Sequence, residues 1–249
     1  MSKERPTSSL ATDAKQAEID YPETVTAAHR RWLETKPFRG ERRHTVRHLI
    51  DVGYVTDLLE LEPGVRYCEL GCGSGWMTRY AARVGAEATG YDISPAMIEI
   101  ARAQAAAGGV EATFVVADME QLETEARYDR CLIYEALHHS SEPAQVLAAA
   151  HSLLVTGGVL LLAEPNWTQR FAGRKAAQEH GTTERGYSSR HLKQLVRQAG
   201  FAHVERFHSN RRRLYSNRPM DVVRHLTEPV SFRVAAPFRA QIWLRARAA

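Results

Sequence analysis

The chain has 249 residues, of which 44% are hydrophobic and 25% charged, values that suit one α/β domain of the larger kind with its own core. No run of about eighteen apolar residues occurs, which excludes a membrane-spanning helix; the formal net charge of +4 gathers late, with nine arginines against Asp221 and Glu228 in residues 211–249. Three cysteines, Cys68, Cys72 and Cys131, stand in apolar runs as an odd count; this excludes a disulfide framework, matches no zinc-ligand spacing and predicts reduced thiols in a cytoplasmic protein.

Residues 1–20 are polar and non-periodic, lack the apolar stretch of a signal peptide and read as a disordered tail. Glu23 to Lys36 and Glu41 to Leu61 read as two amphipathic helices, a cap over residues 21–62. In the second, Val46, Leu49, Ile50, Tyr54, Leu58 and Leu61 recur at helical steps, with Gly53 inside the pattern. Pro63-Gly64 marks a turn. Strand and helix then alternate. Val65 to Leu70 is a first strand and Trp76 to Val84 a helix closed by Gly85. Glu87 to Asp92 is a second strand. Ser94-Pro95 fits an N-cap with proline at the first helical position, and that helix stops at Gly108-Gly109. Ala112 to Ala117 and Arg130 to Tyr134 are the next strands. Pro143 to Leu154 is a helix broken by Gly157-Gly158, and Val159 to Ala163 is strand five. This rhythm predicts a doubly wound, mostly parallel sheet. Ser188 to Ala199 is a further helix, stopped by Gly200. Phe201 to Phe207 and Gln241 to Ala248 are expected to pair as an antiparallel hairpin, making seven strands.

Open α/β sheets bind ligands at the carboxyl ends of their strands. Glu69-Leu70-Gly71-Cys72-Gly73-Ser74-Gly75 follows strand one, and alternate glycines let the backbone turn tightly against a ligand. Asp92 ends strand two, where a carboxylate can accept ribose hydroxyls. Asp118-Met119 follows strand three, where an acid and the next backbone amide can read the edge of adenine. The glycine spacing is G-x-G-x-G rather than the dinucleotide pattern G-x-G-x-x-G. Glu69 beside it would repel a pyrophosphate but favour an ammonium and a sulfonium.

These residues, with the segments GYDIS, VVADME, YDRCLIYEALHH and LLVTGGVLLLAEP, resemble successive motifs of class I S-adenosylmethionine-dependent methyltransferases. The resemblance covers Val65 to about Pro165 and implies a Rossmann-like fold with S-adenosyl-L-methionine as cofactor. It implies that Glu69, Gly71, Gly73 and Gly75 line the methionine end, with Glu69 in place of a more common aspartate. It implies that Asp92 holds the ribose, that Ile93 packs on the adenine, and that Asp118 and Met119 hold the adenine edge. The carbonyl of Tyr134 would meet the cofactor's amino group. Residues 63–164 are then the cofactor-binding core and 165–249 the substrate-side half of a single domain.

Methyl transfer is an in-line displacement, so the protein mainly aligns a nucleophile; a hydroxyl also benefits from a general base. His138 and His139 follow strand four and Glu164 ends strand five. The pair with an acid resembles sugar O-methyltransferases of antibiotic pathways. That likeness implies His139 as base, His138 as its partner and Glu164 as the orienting acid; packing against the cofactor or capping the loop is the alternative role. Residues 32–38, the loop after strand five (Pro165-Asn166-Trp167) and residues 180–187 are expected to contact the acceptor, and Arg211 to Arg213 are candidates to clamp a phosphate. The expected partner is therefore a small molecule, with an anionic or glycosylated acceptor left open. RNA is the second reading, from the basic C-terminal region. Against it, the arginines are not interleaved with aromatics, and no N/D-P-P-Y/F tetrad follows strand four. A non-catalytic cofactor-binding protein is the third reading.

Overall fold

The computed structural model describes residues 8–38, 40–166, 186–207 and 241–249. The strands are β1 (Arg66–Leu70), β2 (Glu87–Asp92), β3 (Thr113–Val116), β4 (Tyr128–Tyr134), β5 (Leu154–Pro165), β6 (Phe201–Phe207) and β7 (Gln241–Ala248). They form one seven-stranded sheet in the order β3-β2-β1-β4-β5-β7-β6. β1 to β5 run parallel, and β7 is antiparallel to both β5 and β6. The chain winds outward from β1 through β2 to β3, then returns to place β4 on the other side of β1. The crevice at this reversal of strand order, above the carboxyl ends of β1 and β4, is where such sheets bind ligands.

Alternation along the strands divides the core. Tyr67, Leu132, Leu161 and Trp243 pack on α3 (Arg42–Leu58) and α4 (Trp76–Val84). Their sequence neighbours Cys68, Cys131, Leu160 and Leu244 pack on α6 (Pro143–Leu153) and α7 (Ser189–Gln198). α5 (Pro95–Ala107) adds Ile98, Ala101 and Ala105 against Cys72 and Phe114. Period-two alternation between two apolar faces is what a parallel sheet covered on both sides requires. Cys68, Cys72 and Cys131 are buried free thiols. No helix among the described residues is long and apolar enough to cross a membrane.

Three local expectations need correction. α1 (Ser8–Thr24) takes in residues 8–20 of the stretch expected to be a disordered tail. α1 is polar and gains its support from tertiary contacts that composition does not display. The helix expected over Glu23 to Lys36 begins only at α2 (Ala27–Thr35), because Thr26 takes an extended conformation and its hydroxyl caps the His29 amide at 3.2 Å. β5 starts at Leu154, ahead of Gly157-Gly158, and its register with β4 slips between Tyr128 and Arg130. α3, by contrast, runs through Gly53 unbroken.

Candidate active site

The loop after β1 is tied down from both ends. The Gly71 and Cys72 amides donate to the Tyr91 carbonyl at 2.8 and 2.9 Å, and the Gly73 amide donates to Asp92 Oδ2 at 2.7 Å. Gly71 (φ +71°) has no room for a side chain, since an added Cβ would strike that of Ala136. Gly73 (φ +52°) differs: an added Cβ would meet nothing within 4 Å. Its backbone therefore faces open space, a cradle bounded by Asp92.

Asp92 also accepts from the Ser94 amide at 2.9 Å. Burial pushes its carboxyl up, the Ser94 and Gly73 amides pull it down, Glu18 adds to the rise and His139 opposes it. Asp92, His139 and the α1 residue Glu18 thus share one neighbourhood. β3 is held to the same edge by the Ala117 amide on the Asp92 carbonyl at 2.9 Å. Asp118 accepts from the Glu120 amide through Oδ1 (2.9 Å), and its Oδ2 lies 2.6 Å from Lys15 Nζ. The half-buried Ile93 and Met119 stand beside these two acids in sequence. Gly75, in the left-handed conformation (φ +68°), starts α4. Ser94 holds the N-cap position before Pro95, but its hydroxyl donates to the Ile19 carbonyl of α1 at 2.8 Å rather than capping α5.

Glu69 is buried at the end of β1, and the Thr78 hydroxyl donates to it. Burial, opposed by Thr78, pushes its carboxyl up to about 8. Lys36, across the cleft, lies 4.1 Å from the centre of the Trp32 ring. Burial and the neighbouring Arg47 bring its ammonium down to about 8, against the pull of Glu69. Arg47 pairs with Glu135, and its Nε is 3.5 Å from Asp51, which accepts the Tyr134 hydroxyl at 2.7 Å. Tyr134 ends β4 at this same edge, its ring packed near Trp76 and Trp243. Glu135 has φ +50°, a conformation uncommon for a non-glycine residue, where the chain leaves β4. Lys36 was expected only as part of an acceptor-side segment, and Arg47 and Glu135 were not singled out. A cation buried beside strand-end acids is the signal, and it needs the fold to appear.

After Glu135 the chain forms a 3-10 turn, Leu137–His139. Fully buried Glu164 sits under it and accepts the amides of Ala136 (3.1 Å), Leu137 (2.8 Å) and His138 (3.2 Å). It also lies 2.8 Å from His138 Nδ1. Glu164, expected as the orienting acid of the histidine pair, thus meets His138. In a 3-10 turn, with three residues per turn, adjacent side chains leave in different directions. His139 turns toward α1 instead, where its Nδ1 is 2.9 Å from Glu18 Oε1. The two imidazoles lie 4.0 Å apart, centre to centre.

A separate open groove of about 520 Å³ lies at the other end of the sheet, lined by residues such as Arg66, Glu87, Glu111 and Arg127. None of the strand-end acids reaches it. Trp167, residues 180–185 and Arg211 to Arg213 lie outside the described residues.

The seven-stranded sheet with its antiparallel final pair is the Rossmann-like fold of the methyltransferase structures that superpose on it. Residues 68–158, 91 of the 249, match the family described as Methyltransferase domain. Over 117 residues it is 35% identical to a ubiquinone biosynthesis O-methyltransferase of Xanthomonas euvesicatoria pv. vesicatoria (strain 85-10), covering 46% of this chain and 48% of that one. Over 121 residues it is 31% identical to the protein of the same name from Xanthomonas oryzae pv. oryzae (strain PXO99A). That alignment covers 48% of this chain and 50% of the other, so the chain spans about half the length of the curated relatives it matches. Among solved structures, magnesium protoporphyrin IX methyltransferase from Synechocystis PCC 6803 with bound SAH superposes with a TM-score of 0.64 at 19% identity, covering 95% of this chain and 100% of that one. The [4+2]-cyclase SpnF superposes with a TM-score of 0.59 at 21% identity, covering 86% and 84%.

Proposed function

We propose that this chain binds S-adenosylmethionine above β1 to β4 and methylates a hydroxyl of a small-molecule acceptor, sugar-like or of secondary-metabolite kind. The observation that carries the reading is the placing of Glu69, Asp92 and Asp118 at or just after the carboxyl ends of three adjacent strands, β1, β2 and β3, with two histidines after the neighbouring β4. The residues fit the cofactor, because Gly73 leaves open backbone where a ligand must approach closely. Glu69 receives the ammonium of the methionine end, with Tyr134 offering its carbonyl. Lys36 and Arg47 face the carboxylate of that end. Both oxygens of Asp92 already accept amides, and each keeps a lone pair for a ribose hydroxyl. Ile93, Asp118 and the Met119 amide take the adenine. When bound, the cofactor supplies a methyl group on a sulfonium that leaves as a neutral thioether. The chain's own residues orient the acceptor, exclude water and accept its proton, with His139 as base.

The O-methyltransferase names of the sequence relatives support an oxygen nucleophile. The buried free thiols support a cytoplasmic setting. A second reading, a cofactor-binding fold without methyl transfer, is favoured by the likeness to a cyclase. One experiment separates them. Calorimetry with S-adenosylhomocysteine on wild type and Asp92→Ala is paired with a labelled-methyl acceptor screen on wild type and His139→Ala. We expect Asp92→Ala to weaken binding at least about 100-fold, as loss of a buried charged acceptor should, and His139→Ala to lose turnover while keeping binding. Equal binding by Asp92→Ala refutes the pocket, and undiminished turnover by His139→Ala refutes the base.

A further inference from the structure

α1 lies across the adenosine end of the proposed pocket and touches its residues at three points. Lys15 Nζ bridges Asp118 (2.6 Å) and Glu120 (2.7 Å). The Ile19 carbonyl accepts the Ser94 hydroxyl at 2.8 Å, one helical turn further on. Between them, Glu18 brings a carboxylate to 2.9 Å from His139 Nδ1. The two histidines are thus served in different ways. His138 has a carboxylate locked by three backbone amides beneath the turn. The carboxylate beside His139 is carried by a helix whose seat depends on side-chain contacts.

We infer that Glu18 is a positioning residue for His139, and that seating α1 over the pocket is what makes this histidine a competent base. The inference rests on the proposed methyltransferase reading and deepens it. A carboxylate 2.9 Å from one ring nitrogen favours the charged form of the ring at that side. It also stabilises the imidazolium that forms when the acceptor oxygen bonds to the methyl carbon and its proton passes to His139; that proton leaves to solvent once α1 lifts. Because α1 also sits on Asp118 and beside Asp92, closing over the adenosine and arming the base are one movement. The charged and titratable groups around His139 are Glu18 on α1, Asp92 at the end of β2, His138 on its own turn, and Glu120, which accepts from the following Ser140 hydroxyl at 2.9 Å and the Ser141 amide at 2.7 Å.

The test compares Glu18→Gln and Glu18→Asp with wild type. The His139 ring is titrated by NMR in the cofactor-free protein and with S-adenosylhomocysteine, its resonance assigned with His139→Asn. We expect Glu18→Gln to lower the His139 midpoint by about one pH unit, a tenfold loss of proton affinity. The acid limb of kcat should move down by the same amount, kcat should fall about tenfold, and Glu18→Asp should restore part of both. S-adenosylhomocysteine should bind Glu18→Gln within about threefold of wild type. An unmoved His139 midpoint overturns the inference, and so does tenfold weaker S-adenosylhomocysteine binding, which would make Glu18 part of the cofactor site. Neither outcome depends on turnover, so failure of the methyltransferase reading shows separately, as a missing methyl product.

Discussion

The acids beneath the sheet's carboxyl edge and those met by the N-terminal helices are held by different means. Asp92 and Glu164 are gripped by backbone amides, mostly from the loop after the neighbouring strand. Asp118 and Glu120 also accept amides but add a lysine from α1, and Glu135 faces an arginine from α3. An amide-held carboxylate is positioned by the backbone path and moves only when the strand moves. The contact with a lysine or arginine from a distant helix lasts only while that helix stays docked. The core therefore supplies a backbone-held frame for the proposed adenosyl site, and the helical layer adds contacts that depend on its docking.

Substitutions in each region sharpen that contrast. The largest stability loss is expected for Glu164→Ala, which leaves three amides and the His138 ring without their buried acceptor. We expect about 3 kcal/mol or more in urea unfolding. A loss below about 1 kcal/mol would mean that this carboxylate does not organise the turn.

A pH effect should follow at Glu69. Its carboxyl is raised to about 8 by burial, opposed by Thr78, from an ordinary value of 4.5. Between these values the folded state holds a proton that the unfolded state has lost, so this residue makes stability decline as pH rises, levelling above about 8. An ammonium ligand needs the ionised form, so S-adenosylhomocysteine affinity should climb from about pH 6 to 8, with proton release that calorimetry in buffers of different ionisation enthalpy can count. Glu69→Gln should abolish the proton release; persistence of that release in the variant would assign it elsewhere.

Lys15→Met should have the smallest effect. Its side chain is 25% exposed, so the stability change is expected at about 1 kcal/mol or less, read more sensitively as a few-fold faster hydrogen exchange in α1. Burial alone would raise Glu120, but Lys15, the Ser140 hydroxyl and two amides outweigh it and hold it below its ordinary 4.5. Its contribution to docking is therefore present above about 4.5 and fades as pH falls through the lowered value. Unchanged exchange in Lys15→Met would show that this bridge does not seat the helix.

Much of the scaffold was readable residue by residue. Gly85 and Gly200 stop helices as expected, both at left-handed φ. Asp92 stands at its strand end because apolar alternation before it and Ser94-Pro95 after it bracket the position. β6 and β7 pair as anticipated, although β7 inserts between β5 and β6. The choice of partner for Glu164 was not readable, since the acid is equally distant in sequence terms from two adjacent histidines. Nor was α1, because its weakly apolar sequence reads as a tail until Ser94, Asp118, Glu120 and His139 are brought to it from far along the chain.

By itself, the sequence determined the strand–helix rhythm, the glycine turn and the acids at the strand tips. These follow from local periodicity and backbone conformation, which neighbouring residues set among themselves. Only the tertiary structure decided which carboxylate serves which histidine, that Lys36 lies near Glu69 with Arg47 beside it, and that α1 closes on Asp118 and His139. Those pairings join residues as many as 121 positions apart, as Glu18 and His139 are. They depend on the directions in which side chains leave their elements, and packing, not local propensity, sets those directions.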